Sequence, residues 1–208
     1  MLQTINKVLL TGALAFVWSQ SVYAEIVVTI SEGNGGINYS FDSGFLDVTG
    51  LVNAGPTTAA DAFYTSGVLF GGGAASDVEF YQGVTVSASD GWTQSLGGAP
   101  FQWTSITGSS SILGSSDFLF TGPGLFLSGA PDANGLIEVA ATSGFVDGLD
   151  FETAMLTANE SITFSWSADS VTFQTVQAVP EPSASFLLFA SCLLITLRRN
   201  RNRRVVLS

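Results

Sequence analysis

The side chains in the central part of this chain that could perform acid–base or metal chemistry are carboxylates. All of its 17 Asp and Glu except Glu181 lie between residues 25 and 178, and the chain has no His. Its six basic residues are Lys7 and five arginines at the C-terminal end, and its one cysteine is Cys192. The central part therefore excludes His-based triads, thiolate nucleophiles, lysine Schiff bases and zinc sites built from His or Cys.

Ca²⁺ binding is one chemistry that carboxylates alone can perform. Asp147, Asp150 and Glu152 are the best calcium candidates, because hard cations bind several oxygens and these three acids are close in sequence. Asp132, with Asn134 two residues later, is a second candidate. Neither segment has the full EF-hand loop signature. The competing interpretation is that these acids form turns and cap backbone N–H groups.

Glycoside hydrolysis is the other chemistry, since it needs one acid to protonate the leaving oxygen and another to attack or activate water. Asp77 and Glu79 lie on one face of a predicted strand, and Asp150 and Glu152 do the same if their segment is extended. With so many acids such pairs arise by chance, and the body is small for a glycosidase. We predict that the protein is not an enzyme.

Sugar binding without catalysis is the alternative function. Four aromatic residues in or near predicted loops could stack on sugar rings, although aromatic side chains more often pack in a core: Tyr64, Tyr81, Trp92 and Trp103. The alternative is a carbohydrate-binding module for a secreted polysaccharide, with or without Ca²⁺. Nucleic acid is excluded as a partner, because the acidic body repels phosphates.

Residues 1–24 have the three parts of a secretory signal peptide. Lys7 supplies the positive charge, residues 8–18 are apolar, and Val22-Tyr23-Ala24 forms a cleavage site before Glu25. The mature body, residues 25–178, is therefore expected to be exported.

The body shows no sustained helical period, and its strand signals recur at short intervals between turn residues. This pattern predicts an all-β fold, a single β-sandwich or jelly-roll-like domain. The clearest pair of strands closes the body, where apolar and polar residues alternate on both sides of a turn at Asp169: Ile162, Phe164 and Trp166, then Val171 and Phe173.

Other segments of the body give more local predictions. Residues 33–36 and 71–73 are glycine-rich and are predicted to be turns. Residues 78–88 are predicted to form a hairpin around Gly83. We expect a short helix within residues 57–62, and a short helix or a tight loop in residues 147–156.

The C-terminal end resembles a membrane-directed tail. Residues 184–197 are uncharged and apolar, and as a helix they would span roughly 21 Å of a hydrocarbon core about 30 Å thick. Flanking arginines can snorkel to lengthen the span, and they place the C-terminus in the cytoplasm: Arg198, Arg199, Arg201, Arg203 and Arg204. A permanent anchor is one interpretation of this tail.

The order of features in the tail resembles the PEP-CTERM sorting signal of bacterial proteins processed by exosortase. The motif is Val179-Pro180-Glu181-Pro182-Ser183, followed by the apolar helix of residues 184–197 and the basic end of residues 198–204, with residues 205–208 after it. The resemblance implies transient retention in the inner membrane, recognition of the Pro-Glu-Pro element by an exosortase-like membrane protease, and removal of the tail.

The end of the body, residues 166–170, also resembles a recurrent PEP-CTERM ectodomain type that has no assigned function. The sequence thus predicts an exported, non-enzymatic protein of the cell surface or extracellular matrix, with no cofactor unless Ca²⁺ binds.

Overall fold

The fold is all-β, as predicted. The computed structural model describes residues 25–66, 69–92, 100–115 and 122–177, which form strands, turns and bends without a helix. Within these ranges no helix is long and apolar enough to cross a membrane. The predicted signal peptide and the apolar tail lie outside them. By its contacts the chain divides into two compact units, Met1–Gln177 and Ala178–Ser208.

Among the described residues, the larger sheet has seven strands. From one edge to the other it contains β8 (Thr85–Ala88), β14 (Ser161–Ser165), β15 (Ser170–Gln177), β1 (Ile26–Gly33), β2 (Gly36–Phe41), β13 (Thr142–Asp147) and β9 (Ser105–Thr107). The first and last strands of the body, β1 and β15, pair in parallel at its centre. The other pairings in this sheet are antiparallel.

A second sheet has six antiparallel strands in the part of the chain that the structure describes. In order it contains β4 (Val52–Thr58), β7 (Asp77–Gln82), β11 (Gly124–Leu127), β10 (Ser111–Ser115), β6 (Leu69–Gly73) and β5 (Phe63–Ser66). A small third sheet pairs β12 (Leu136–Val139) with β3 (Gly44–Asp47).

Contacts between the two large sheets make the arrangement sandwich-like. Phe70 of β6 packs on Phe173 of β15, with ring centres 5.3 Å apart. The hydroxyl of Tyr39, on β2, donates to the carbonyl oxygens of Gly72 and Ile112 in the opposite sheet, at 2.8 and 3.2 Å. Tyr39 is fully buried, so its hydroxyl links the two sheets inside the apolar core.

The closing hairpin is confirmed. β14 and β15 are antiparallel, with Ile162 opposite Phe173 and Phe164 opposite Val171. These four side chains are buried, whereas Trp166 is partly buried and packs against the core. The turn is closed by the N–H of Trp166, which donates to the carbonyl of Asp169 at 3.0 Å.

The predicted turn at residues 33–36 is also confirmed. Gly33 and Gly36 are paired, and the two residues between them, Asn34 and Gly35, have φ of 56° and 78°. Positive φ at both central positions is the geometry of a type I′ turn, whose twist matches that of a hairpin. This turn joins β1 to β2.

The predicted turn at residues 71–73 is wrong, because these glycines continue β6. Gly72 pairs with Ile112 of β10 and with Phe63 of β5. A Cβ at Gly72 would lie 2.7 Å from the carbonyl oxygen of Ala62 and 2.9 Å from the ring of Trp103. The glycines thus provide space for close neighbours within a strand, a role that composition does not distinguish from a turn.

Two further predictions are corrected. The segment 57–62 holds no helix, since Thr57 and Thr58 end β4 and pair with β7. The segment 78–88 is no hairpin, because β7 belongs to the six-stranded sheet and β8 to the seven-stranded one. Gly83 lies between them with a φ of 100°, and such a bend lets the chain change sheets.

Candidate functional site

The three calcium candidates lie in and just after β13. Asp147 ends the strand, and its backbone N–H donates to the hydroxyl of Thr104 at 2.9 Å. Asp150 and Glu152 follow as exposed residues of a turn. In the part of the chain that the structure describes, no group of three His, Cys, Asp or Glu could hold a metal ion. The structure therefore gives the calcium interpretation no support at these residues.

Asp150 organises the turn in which it lies. One of its carboxylate oxygens accepts the N–H of Thr153 at 2.7 Å, and its carbonyl oxygen accepts the N–H of Ala154 at 2.9 Å. Hydrogen bonds from the side chain and backbone of Thr153 lower the pKa of Asp150. The segment 147–156 is thus the tight loop of the two predicted alternatives, and Asp150 is a turn-forming acid.

Asp132, the second calcium candidate, has the same role. Its carboxylate accepts the N–H groups of Asn134 and Leu136 at 2.8 and 2.9 Å. These backbone hydrogen bonds, that of Leu136 first, lower its pKa. The N–H of Gly135 also donates to the carbonyl of Asp132, at 3.1 Å. The carboxylate therefore holds the turn that leads into β12.

The carboxylates of Asp77 and Glu79 lie on the same side of β7, as predicted from their spacing. Asp77 is exposed, and Glu79 is partly buried. Glu79 accepts hydrogen bonds from the Tyr81 hydroxyl, at 3.0 Å, and from the side-chain amide of Asn53 on the neighbouring strand. Burial raises the pKa of Tyr81, and the hydrogen bond of its hydroxyl to Glu79 raises it further. Glu79 thus serves to join β7 to β4.

The four aromatic candidates for sugar stacking pack inside the domain. Tyr64 and Tyr81 are 9% and 2% exposed. The ring of Trp103 lies 5.6 Å from that of Tyr39 and 5.8 Å from that of Phe63, and its Nε1 donates to the carbonyl of Gly73 at 3.1 Å. Trp92 packs on the ring of Phe70 at 4.8 Å. All four side chains therefore pack in or against the core, the interpretation that competed with sugar stacking.

A different aromatic residue lines the open depression on the outward face of the seven-stranded sheet. The depression has a volume of about 270 Å³ and lies over β2, β13 and β9, with Phe145 beside the polar side chains of Asn38, Ser40, Ser105, Thr107 and Ser143. Phe145 is half-buried. A Cβ at Gly36 would lie 2.6 Å from its ring, so the glycine allows the ring to lie over β2.

Sequence reasoning missed Phe145 because an aromatic side chain in a strand is expected to pack in a core. Phe145 faces outward on the same side of β13 as Ser143. Gly144 and Val146, on the other side of the strand, are buried. Its neighbours in the depression come from strands that are far apart in the chain. The alternation within β13 was the signal that could have placed it on the polar side of a sheet.

The predicted sorting and topology residues lie outside the described ranges. These are Val179, Pro180, Glu181 and Pro182, and the arginines Arg198, Arg199, Arg201, Arg203 and Arg204. Their roles stay predictions from the sequence.

In comparisons with known proteins, no family model, no curated protein and no solved structure matches this chain. Its function is therefore argued from its own residues and geometry.

Proposed function

We propose that this chain is an exported, non-enzymatic protein of the cell surface or extracellular matrix, released from the inner membrane by an exosortase-like protease. The observation that carries the proposal is the order of the tail: a Pro-Glu-Pro element at residues 180–182, an apolar run at residues 184–197, and five arginines. The division of the chain after Gln177 supports it, because a removable tail must be separable from the body.

The absence of catalysis is supported by the chemistry of the body. Between residues 25 and 178 the chain has no His, Lys, Arg or Cys, so acid–base catalysis would need two carboxylates. The acids proposed for that role have other contacts: Asp150 holds a turn, and Glu79 accepts hydrogen bonds from two side chains of its own sheet.

The same proposal includes a single β-sandwich ectodomain between the two targeting segments. The contacts of Tyr39 and Phe70 across the core support a single β-sandwich ectodomain built from the two large sheets. The first strand begins at Ile26, directly after the predicted cleavage site. The last strand ends at Gln177, directly before the Pro-Glu-Pro region. The ectodomain thus fills the interval between the two targeting segments.

The alternative function, binding a secreted polysaccharide through loop aromatics, loses its proposed contacts, because Tyr64, Tyr81, Trp92 and Trp103 pack within the domain. Polysaccharide binding would need another surface.

The sorting proposal is tested by Glu181→Ala. Because the Pro-Glu-Pro element is the recognition site that the resemblance implies, we expect the variant to accumulate as an unprocessed, membrane-retained chain. The measurement is fractionation of producing cells, with the size of the protein in membrane and released fractions. Glu138→Ala is the matched control, since Glu138 is exposed on β12. Equal release of the Glu181→Ala variant and the control would refute the proposal.

A further inference from the structure

A row of uncharged polar side chains crosses the outward face of the seven-stranded sheet. The strand register aligns six residues of six adjacent strands, each beside the next: Ser161, Gln174, Thr29, Ser40, Ser143 and Thr107. Their neighbours along each strand are buried or less exposed, as expected where alternate residues point to opposite faces. The amide of Gln174 donates to the hydroxyl of Thr29 at 3.2 Å.

Two flanking rows have the same character. On one side the register aligns Val176, Ser31, Asn38, Phe145 and Ser105. On the other side it aligns Ser87, Thr163, Thr172 and Val27, and the hydroxyls of Thr163 and Thr172 lie 2.7 Å apart. We refer to these three rows together as the hydroxyl face. The depression beside Phe145 is part of it.

The hydroxyl face has no charged residue in its three rows, although the body contains all but one of the chain's 17 acids. Acids occur at its borders. Asp147 ends β13, and Glu25, directly before β1, accepts a hydrogen bond from Thr172. A face this wide without charge, on a body this acidic, indicates a partner that is recognised by hydroxyl and amide groups and not by charge.

We infer that the hydroxyl face binds an uncharged polysaccharide, with one sugar ring seated against Phe145. Ser and Thr hydroxyls and Asn and Gln amides both donate and accept hydrogen bonds, so they complement the hydroxyl groups of a sugar chain. An aromatic ring offers its face to the apolar side of a sugar ring. The inference rests on the proposed export of the domain, because secreted polymers lie outside the cell.

The dimensions favour a long ligand over a small one. The depression, at about 270 Å³, is below the roughly 300–1,000 Å³ of pockets that enclose a small ligand. The central row crosses six strands, and at about 4.8 Å between strands it extends for roughly 24 Å. A polymer chain can lie along the row and fill the depression with one of its units.

A second copy of this chain fits the face less well. The centres of stable protein interfaces are apolar and rich in aromatic residues, and Ser is depleted there. The three rows contain few apolar side chains, namely Val27, Phe145 and Val176. Two copies would also each carry the net charge of the acidic body, which opposes association.

The test uses the purified chain, with its tail, in a detergent that has no sugar headgroup. Its affinity for dextran, laminarin, galactomannan and xyloglucan is measured by electrophoresis in gels that contain each polymer. We expect retardation by at least one of them, unchanged from about 0.05 to 0.5 M NaCl because no ion pairs contribute. The anionic polymer alginate should give none. Retardation by none of the four neutral polymers, or by alginate as well, would overturn the inference.

Three variants localise the binding. Ser40→Glu places a charge at the centre of the hydroxyl face, where Ser40 is exposed, and we expect at least about a tenfold loss of affinity because the charge would be desolvated under the polymer. Thr107 is also exposed, and we expect Thr107→Glu to cause a similar loss of affinity. It replaces Ser40→Glu if Ser40→Glu lowers the melting temperature of the protein. Thr58→Glu, exposed at the end of β4 in the other sheet, is the control.

Equal affinity of the Ser40→Glu, Thr107→Glu and Thr58→Glu variants would place the binding elsewhere and overturn the inference. Self-association of the unmodified protein that Ser40→Glu abolishes, without polymer binding, would instead identify a second copy as the occupant. A failure of the sorting proposal leaves these measurements unaffected, since binding is measured on purified protein.

Discussion

The outward faces of the two large sheets differ in chemistry although both sheets are built mainly of antiparallel strands. On the seven-stranded sheet most outward residues in the three rows are uncharged and polar, and several are exposed, as at Ser40 and Ser143. The six-stranded sheet also has buried apolar residues on the side away from the main core. Phe80 and Phe126 stack there at 4.5 Å between ring centres, in a second cluster with Leu113.

The burial patterns of the strands show the same difference. β14 and β15 alternate between buried and partly exposed residues along most of their length, whereas every residue of β10 and β11 is buried. Sheets with one face toward water are expected to alternate, and strands covered on both sides are not. Among the described residues, the seven-stranded sheet therefore has the broader exposed face of the two.

The largest effect that tests this comparison is expected at Phe126. The residue is 3% exposed, and truncating a buried Phe to Ala typically costs about 3–5 kcal/mol of unfolding free energy. Phe126→Ala should therefore destabilise the protein by roughly that amount, measured by chemical denaturation of the purified protein.

The matched control is Ser143→Ala on the hydroxyl face. Ser143 is exposed, so the change should alter stability by less than about 0.5 kcal/mol. If Phe126→Ala and Ser143→Ala had similarly small effects, the outer cluster of the six-stranded sheet would not be a packed core, and the contrast between the two faces would fail.

A smaller effect is expected for Tyr39→Phe, which removes the hydroxyl that links the two sheets. The ring keeps its packing, but the carbonyl oxygens of Gly72 and Ile112 lose a buried donor. Loss of such a contact costs about 1–2 kcal/mol. A free energy of unfolding equal to that of the original protein at neutral pH would mean that the link contributes nothing.

The same variant has a signature in pH. Burial raises the pKa of Tyr39 above its ordinary value, while in the unfolded chain the phenol ionises near pH 10. Stability from this residue is thus complete below about pH 10 and falls as the pH rises further, because only the unfolded state releases the proton. Tyr39→Phe should reduce the loss of stability above about pH 10, measured against the original protein.

The sequence predicted those elements whose signals are local. The closing hairpin alternates strictly between apolar and polar residues, and the turn at Asn34-Gly35 has the residue types that positive φ requires. These features depend on neighbours within a few residues, so composition and spacing are sufficient to identify them.

Features that depend on distant pairing could not be predicted. The parallel pairing of β1 with β15, the change of sheet between β7 and β8, and the place of Gly72 inside a strand each depend on residues far away in the chain. The hydroxyl face has the same origin. Ser40 and Ser143 are unremarkable alone and become one surface only through the register of β2 and β13.

The smallest expected effect concerns the electrostatic environment of the hydroxyl face. The chain carries a formal charge of −11, and its basic residues all lie outside residues 25–178. A charge introduced at Ser40 should therefore feel the carboxylates of the whole body. At an ionic strength of about 0.01 M the Debye length is about 30 Å, so this interaction sums over many acids.

We expect the Ser40→Lys variant to melt roughly 2–3 °C above the Ser40→Glu variant at low salt, equivalent to about 1 kcal/mol or less. At about 0.15 M the Debye length falls to about 8 Å, and the difference should nearly vanish because the rows around Ser40 contain no charge. The measurement is thermal unfolding of both variants across this salt range. A difference in melting temperature that persists at high salt would place carboxylates within a few ångströms of Ser40. The hydroxyl face would then not be an uncharged surface on this acidic body.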